Sequence, residues 1–322
     1  MSTTIKTKTM STFAEDVRAG LRSEEKHLSS KYFYDKRGSE IFQAIMRMPS
    51  YYLTDSEFEI FETNKEAILQ HFDPGSGPFN LVEFGAGDGL KTKVLLEHFL
   101  KRKADFTYAP IDISKSALDK LEQDLCERWP ALNVHSLHND YFSGLDVLRR
   151  DDTRNIVLFL GSNLGNFDVA SADGFLAELR AHLDTGDGLL IGLDLQKDPS
   201  VILRAYDDPE GITKAFNLNL LERINRELGG HFDPMKFDFY CNYSPESGEV
   251  RSYLVSKVKQ SVRIDALEES FDFQQWEIIH TEISRKFRLD RLPELARRNG
   301  FEHVGNTFDC KHYFVNSYWK AV

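Results

Sequence analysis

A chain of 322 residues, 41% hydrophobic and 28% charged, can bury one large core or two modest ones without a disulfide or metal staple. Its formal net charge of -11 repels phosphate backbones, and its densest basic run, Lys101-Arg102-Lys103, fits a solvated helix end, so a nucleic-acid partner is not expected. Cys126, Cys241 and Cys310 have no CxxC or Cys/His ligand spacing, which argues against a disulfide framework and a zinc site and for a reducing cytoplasm.

The start of the chain, MSTTIKTKTMST, is polar, reads as a frayed tail, and has no apolar signal region. No apolar run approaches membrane-spanning length, so no membrane partner is expected, and a monomer is the default. Apolar Phe13, Val17 and Leu21 predict a first helix over Thr12–Leu28. The aromatic stretch Lys31–Asp35 precedes a short helix, Gly38–Met46, which Pro49-Ser50-Tyr51-Tyr52 breaks. Asp55 or Ser56 is the expected cap of the next helix, which runs to about Phe72 and ends at the breaker cluster Asp73–Pro78.

Beyond that cluster, strand-like runs alternate with amphipathic helices. The strands are Asn80–Phe84, Phe106–Asp112, Asn133–Leu137, Asn155–Leu160 and Gly188–Leu195; helices follow from Leu90, from Ser114, near Leu145 and from Ala170. Such βαβ units imply a parallel sheet with right-handed crossovers. The alternation lapses near Gln196. Two helices (Val201–Tyr206, Ile212–Leu228) lead into strands Phe237–Tyr243, Val250–Val258 and Ile278–Phe287, the first two joined as a hairpin by Ser244–Gly248. A helix, Arg291–Asn299, and two strands, His303–Asp309 and Tyr313–Trp319, close the chain as an antiparallel hairpin beside the sheet. The predicted fold is α/β: a Rossmann-like parallel sheet whose closing antiparallel hairpin resembles the usual ending of class I methyltransferase sheets, with an inserted α+β domain expected to bind the substrate.

Leu81–Gly89 is an apolar strand running into a glycine-rich turn, at the strand end where open α/β sheets bind ligands. Gly85, Gly87 and Gly89 have Gly-x-Gly-x-Gly spacing, and Glu83 precedes them. A carboxylate there suits the sulfonium and ammonium of S-adenosylmethionine and would repel a dinucleotide's pyrophosphate. Asp112, at the second strand end, either accepts from ribose hydroxyls or caps the helix near Ser114. Asp140 with Tyr141 either meets adenine or marks a turn.

With these residues placed, the sequence closely resembles the histidine-specific α-N-methyltransferases of the ergothioneine pathway, the hercynine synthases. The resemblance runs from about Asp16 to the C-terminus and rests on Asp16–Leu21, Phe33-Tyr34-Asp35, Phe159–Ser162, Gly165-Asn166, Arg204–Asp208, Ala215-Phe216-Asn217 and Glu282–Phe287. It implies trimethylation of the α-amino group of L-histidine, with S-adenosylmethionine as donor and no metal. It places Gly85, Lys91, Asp112, Asp140 and Tyr141 on the cosubstrate, beside the Glu83 and Gly87 already read from the loop, Tyr141 standing where the family more often has Phe. It gives Tyr51, Asn166 and Tyr206 the acceptor's amino and carboxylate groups, with Tyr51 and Asn166 as the catalytic pair, and adds Gly161, Ser252 and Ile283 to the acceptor site. Glu282 and Ser284 would read the imidazole.

The residues alone leave alternatives open. Asn166 fits an Asx turn, the two tyrosines fit packing, and Glu282, Ser284 and Lys286 fit the wet face of a sheet. The implied division is a substrate-binding domain of residues 12–60 plus 196–286 and a cosubstrate domain of 61–195 plus 287–322. Ser252 replaces a common family Met, which keeps tyrosine or tryptophan open as acceptors. Asn163 replaces a common Thr. A rival of another class is a non-catalytic S-adenosylmethionine-binding protein.

Overall fold

The computed structural model describes residues 11–72, 77–149 and 153–322; the expected polar tail, apart from Ser11 and Thr12, and most of the Asp73–Pro78 breaker lie outside them. Helix α1 (Thr12–Arg22) is capped by the Ser11 hydroxyl, which accepts from the Ala14 amide at 3.3 Å. It stops at Arg22 instead of Leu28. The chain reverses so tightly that a Cβ on Gly20 would stand 2.1 Å from the His27 carbonyl oxygen, and His27 bridges to His280. Asp35 caps α2 (Lys36–Ile45) by accepting from the Gly38 amide at 2.7 Å. Helix α3 (Tyr52–Phe72) begins ahead of both expected caps: Asp55 and Ser56 lie inside it, while Tyr52 fixes its start by donating to Asp194 at 2.8 Å.

The alternation predicted from the sequence follows, as β1 (Phe79–Phe84), α4 (Thr92–Arg102), β2 (Phe106–Asp112), α5 (Lys115–Arg128), β3 (Asn133–Val134), β4 (Leu137–His138), α6 (Tyr141–Leu148), β5 (Arg154–Phe159), α7 (Val169–Ala181) and β6 (Gly188–Asp194). The single strand expected over Asn133–Leu137 is two pieces. Val134 pairs with Tyr108 and Leu137 with Ile111, so the gap falls opposite Pro110, which has no N–H for the ladder.

Next come α8 (Pro199–Tyr206), α9 (Ile212–Leu228), β7 (Phe237–Ser244), β8 (Glu249–Ser256), β9 (Gln260–Ile264), β10 (Glu269–Phe273) and β11 (Ile278–Arg285). The chain ends with α10 (Leu292–Arg298), β12 (Phe301–Phe308) and β13 (Phe314–Ala321). The β9–β10 hairpin was not legible in the sequence. Its turn puts Glu268 at φ 55, in the left-handed region where Gly or Asn would have been the signal.

The main sheet has the order β12-β13-β6-β5-β1-β2-β3, with β4 also on β2. Strands β1 to β6 pair in parallel, while β13 runs antiparallel to β6 and β12 to β13. This is the expected class I methyltransferase sheet. The order reverses between β1 and β5, the topological switch point where open α/β sheets bind ligands.

The chain forms two compact units: up to Tyr51 with Asp198–Ser284, and Tyr52–Lys197 with Arg285–Val322. Helix α3 therefore lies whole in the sheet unit and is not divided at residue 60. The reason is packing: Ile60, Phe61, Ile68 and Phe72 are buried, and Phe72 meets Phe79 and Tyr318. The other unit has its own core, where Phe13, Val17 and Leu21 of α1 join Phe216, Leu220 and Ile224 of α9 and Leu254 and Ile279 of the β7-β8-β11 sheet. No helix among the described residues is long and apolar enough to cross a membrane.

Candidate active site

In the sheet unit, β1 delivers the glycine loop. Gly85, Gly87 and Gly89 hold φ +68, +56 and +63, which side-chain-bearing residues rarely adopt. A Cβ on Gly87 would meet no atom within 4 Å, so the backbone at that position faces open space that a ligand can approach. Glu83 is placed differently from the expected bare anion. It is buried, and its two carboxyl oxygens accept from the hydroxyls of Thr92, at 2.7 Å, and Tyr108. It braces β1 against α4 and β2.

Asp112 ends β2 and accepts from the Ser114 amide at 2.8 Å, while Ser114 itself caps α5. Asp140 is the N-cap of α6, accepting from the Ser143 amide at 3.0 Å and the Ser143 hydroxyl at 2.7 Å; these bonds hold its carboxyl below the usual range. Tyr141 stacks on Phe84 with centroids 4.4 Å apart and planes 2° from parallel. Its hydroxyl lies 3.0 Å from where a Cβ on Gly85 would stand. Burial, then the charge of Asp112, raises the phenol's pKa. Gly85, Asp112 and Tyr141 thus gather at the ends of β1 and β2.

The turn that carries Gly161 and Asn166 leaves β5. Gly161 is at φ +74 and donates to both oxygens of Glu57, at 2.9 and 3.2 Å; Glu57 is fully buried and ion-paired with Lys91. Ser162 takes φ 59, and its hydroxyl accepts from the Asp194 amide at 2.9 Å. Asn163 donates to the Leu160 carbonyl at 2.9 Å, and a single 3-10 turn, Asn163–Asn166, presents Asn166.

In the other unit, Tyr206 at the end of α8 and Ser284 of β11 share a hydroxyl–hydroxyl hydrogen bond of 2.8 Å. Tyr51 packs edge-on against Tyr206 at 6.2 Å. Glu282 stands two residues before Ser284 in the same strand, with Ile283 between them. Ser252 is only 1% exposed, on the buried side of β8, and its carbonyl accepts from Thr281 at 3.0 Å. Thr281 also donates to buried Asn217 at 2.7 Å, so α9 steadies the strand carrying Glu282.

A model of the S-adenosylmethionine-dependent, histidine-specific methyltransferases matches residues 13–321. The chain belongs to that family. It is 36% identical over 282 residues to the histidine N-alpha-methyltransferase of Mycolicibacterium smegmatis, covering 87% of this chain and 86% of the relative. The corresponding protein of Mycobacterium tuberculosis is 34% identical over 273 residues, 85% and 84% of the two chains. Ergothioneine biosynthesis protein 1 of Schizosaccharomyces pombe is 29% identical over 86% of this chain but only 36% of its own, longer length.

Within this family member, sequence reasoning missed Glu57, Asp194 and Lys197. A mid-helix Glu and a strand-end Asp carry no distinguishing local pattern; only the fold reveals that both are buried. Lys286 corrects the wet-face alternative: it is 1% exposed, and its ammonium lies 3.0 Å from Asp194. Lys197 also pairs with Asp194, and burial lowers its pKa. Asp194 thereby gathers two lysines and the Tyr52 phenol behind the Ser162 turn.

Burial raises the Glu83 carboxyl from 4.5 to about 7. A raised acid favours the folded state fully below about pH 4.5, and that stabilisation is lost as pH rises through 7. Glu83→Gln should flatten this decline. It should be more stable than the parent by about 1–3 kcal/mol at pH 8 and equal to it or weaker at pH 4.5, as denaturant titrations at the two pH values will report.

Proposed function

We propose that the chain transfers three methyl groups in succession from S-adenosylmethionine to the α-amino group of L-histidine, giving hercynine for ergothioneine biosynthesis, and that it acts as a cytoplasmic monomer without metal, nucleic-acid or membrane partners. The observation that carries the acceptor assignment is the meeting of Tyr51, Tyr206 and Ser284 in one unit, through the 2.8 Å bond and the 6.2 Å ring contact, with Glu282 on the same strand as Ser284. Three unpaired cysteines support the cytoplasmic part.

The glycine loop fits the cosubstrate, because its backbone faces open space at Gly87. When bound, S-adenosylmethionine supplies an electrophilic methyl group. The chain's own task is to hold a neutral amine in line. Free α-amino groups titrate near about 7.7–8.0, so an appreciable fraction is neutral at physiological pH and no strong base is required. Orientation can supply roughly 7–11 kcal/mol of such a barrier. In this reading Asn166 offers its amide to the acceptor's amine and carboxylate, Tyr51 and Tyr206 donate phenols to the carboxylate, and Glu282 and Ser284 engage the two imidazole nitrogens. Gly85, Gly87, Lys91, Asp112, Asp140 and Tyr141 hold the cosubstrate, and Glu83 shapes their loop. The aromatic face of Tyr51 favours the growing ammonium.

Glu282 and Ser284 favour histidine over tyrosine or tryptophan, while Ser252, covered in this unit, stands where the family commonly has Met. The test is incubation of the protein with S-adenosylmethionine and each of the three amino acids, read by mass spectrometry. Stepwise mono-, di- and trimethylhistidine is expected. Faster methylation of tryptophan would overturn the acceptor, and cosubstrate binding with no methylated product would leave a binding protein.

A further inference from the structure

Glu57 is a buried carboxylate that the proposed chemistry does not use. Charged residues are seldom fully buried unless they are paired, and Glu57, on α3, is paired twice. On one side it forms an ion pair with Lys91, which opens α4 after the glycine loop. On the other it accepts the Gly161 amide with both oxygens, at 2.9 and 3.2 Å. A third observation indicates a close fit. A Cβ on Gly192 of β6 would lie 2.1 Å from Glu57 Oε1, so the carboxyl is lodged against strand backbone that only glycine leaves room for. Lys91 is also within ordinary contact of the turn: a Cβ on Gly161 would stand 3.8 Å from the lysine nitrogen.

We propose that Glu57 is a positioning residue that couples the two halves of the methyl-transfer site, holding Lys91 for the cosubstrate and the Gly161 turn for the acceptor with one carboxylate. The inference rests on the reading above of Lys91 as a cosubstrate residue and of the Gly161–Asn166 turn as an acceptor element. The two links are chemically separable. Glutamine at position 57 keeps an oxygen for the Gly161 amide but loses the charge that orients Lys91. Alanine loses both and leaves a backbone N–H buried without its partner.

The test is a double-mutant cycle on S-adenosylhomocysteine affinity by isothermal titration, joined to steady-state kinetics on histidine. Lys91→Met should weaken S-adenosylhomocysteine binding about tenfold or more, Glu57→Gln by a similar factor, and the double variant by little more than either, because both remove one shared interaction. Glu57→Gln should change KM for histidine by less than about threefold, whereas Glu57→Ala should raise it by about tenfold. Melting curves of Glu57→Gln establish that it folds. If Lys91→Met binds S-adenosylhomocysteine like the parent, the reading of Lys91 fails and the inference falls with it. If Lys91→Met weakens binding but Glu57→Gln does not, or the two losses simply add, the reading stands and the coupling role of Glu57 is wrong.

Discussion

Replacing Asn166 by alanine is expected to lower kcat/KM for histidine by about 10²–10³-fold, roughly 3–4 kcal/mol of transition-state stabilisation. The size follows from how the turn is held. Gly161 donates to Glu57, the Ser162 hydroxyl accepts from Asp194, and Asn163 donates to Leu160. Gly165 lies so close to the chain at Arg285 that a Cβ would come within 2.6 Å of that residue's carbonyl oxygen. A side chain presented by a turn braced at all these points loses little freedom on meeting its ligand, so its amide acts at close to full strength. The braces involve backbone and neighbouring side chains, not the Asn166 amide itself, so the turn should survive its removal. Affinity for S-adenosylhomocysteine should accordingly stay within about threefold while turnover collapses. Activity within threefold of the parent would instead mean that the amide serves only a local turn.

The parallel sheet was legible because its signals are local and periodic: apolar strands such as Leu81–Phe84 followed by a glycine loop can hardly be read otherwise. Asp112 ends β2 as read, but the cap expected of it belongs to Ser114, and Asp112 instead accepts from the Ser114 amide just before the helix; Asp140, read alternatively as a turn, is the N-cap of α6, accepting from an amide three residues on. A carboxylate can do this and still face a ligand with its remaining lone pairs, so the two readings are not exclusive. Lys286 and Glu57 were not legible. Both are charged residues in ordinary strand-end and helix contexts, and their burial comes from tertiary partners, Asp194 and Gly161, more than ninety positions away in sequence. Helix α1 was overextended for a similar reason: the periodicity persists past Arg22, but the close approach of Gly20 to His27 is a contact that periodicity does not encode.

Glu282→Ala should lower kcat/KM for histidine by about 10- to 150-fold, the kinetic equivalent of losing one charge-assisted hydrogen bond of roughly 1.5–3 kcal/mol. The effect should be selective. A site built to bond both imidazole nitrogens discriminates because an acceptor lacking them leaves polar groups unsatisfied; removing the carboxylate takes away that penalty along with the bond. The ratio of histidine to tryptophan turnover should therefore fall by at least tenfold in a competition assay, with the tryptophan rate unchanged or raised. Ser284 should keep its orientation in this variant, because its partner is the Tyr206 hydroxyl at 2.8 Å. The strand should hold as well, since Thr281 beside it remains tied to Asn217 and to the Ser252 carbonyl. Glu282→Gln retains an acceptor and should recover part of the loss. An equal fall for histidine and tryptophan would identify Glu282 as a support of the strand and would remove it from the reading of the imidazole.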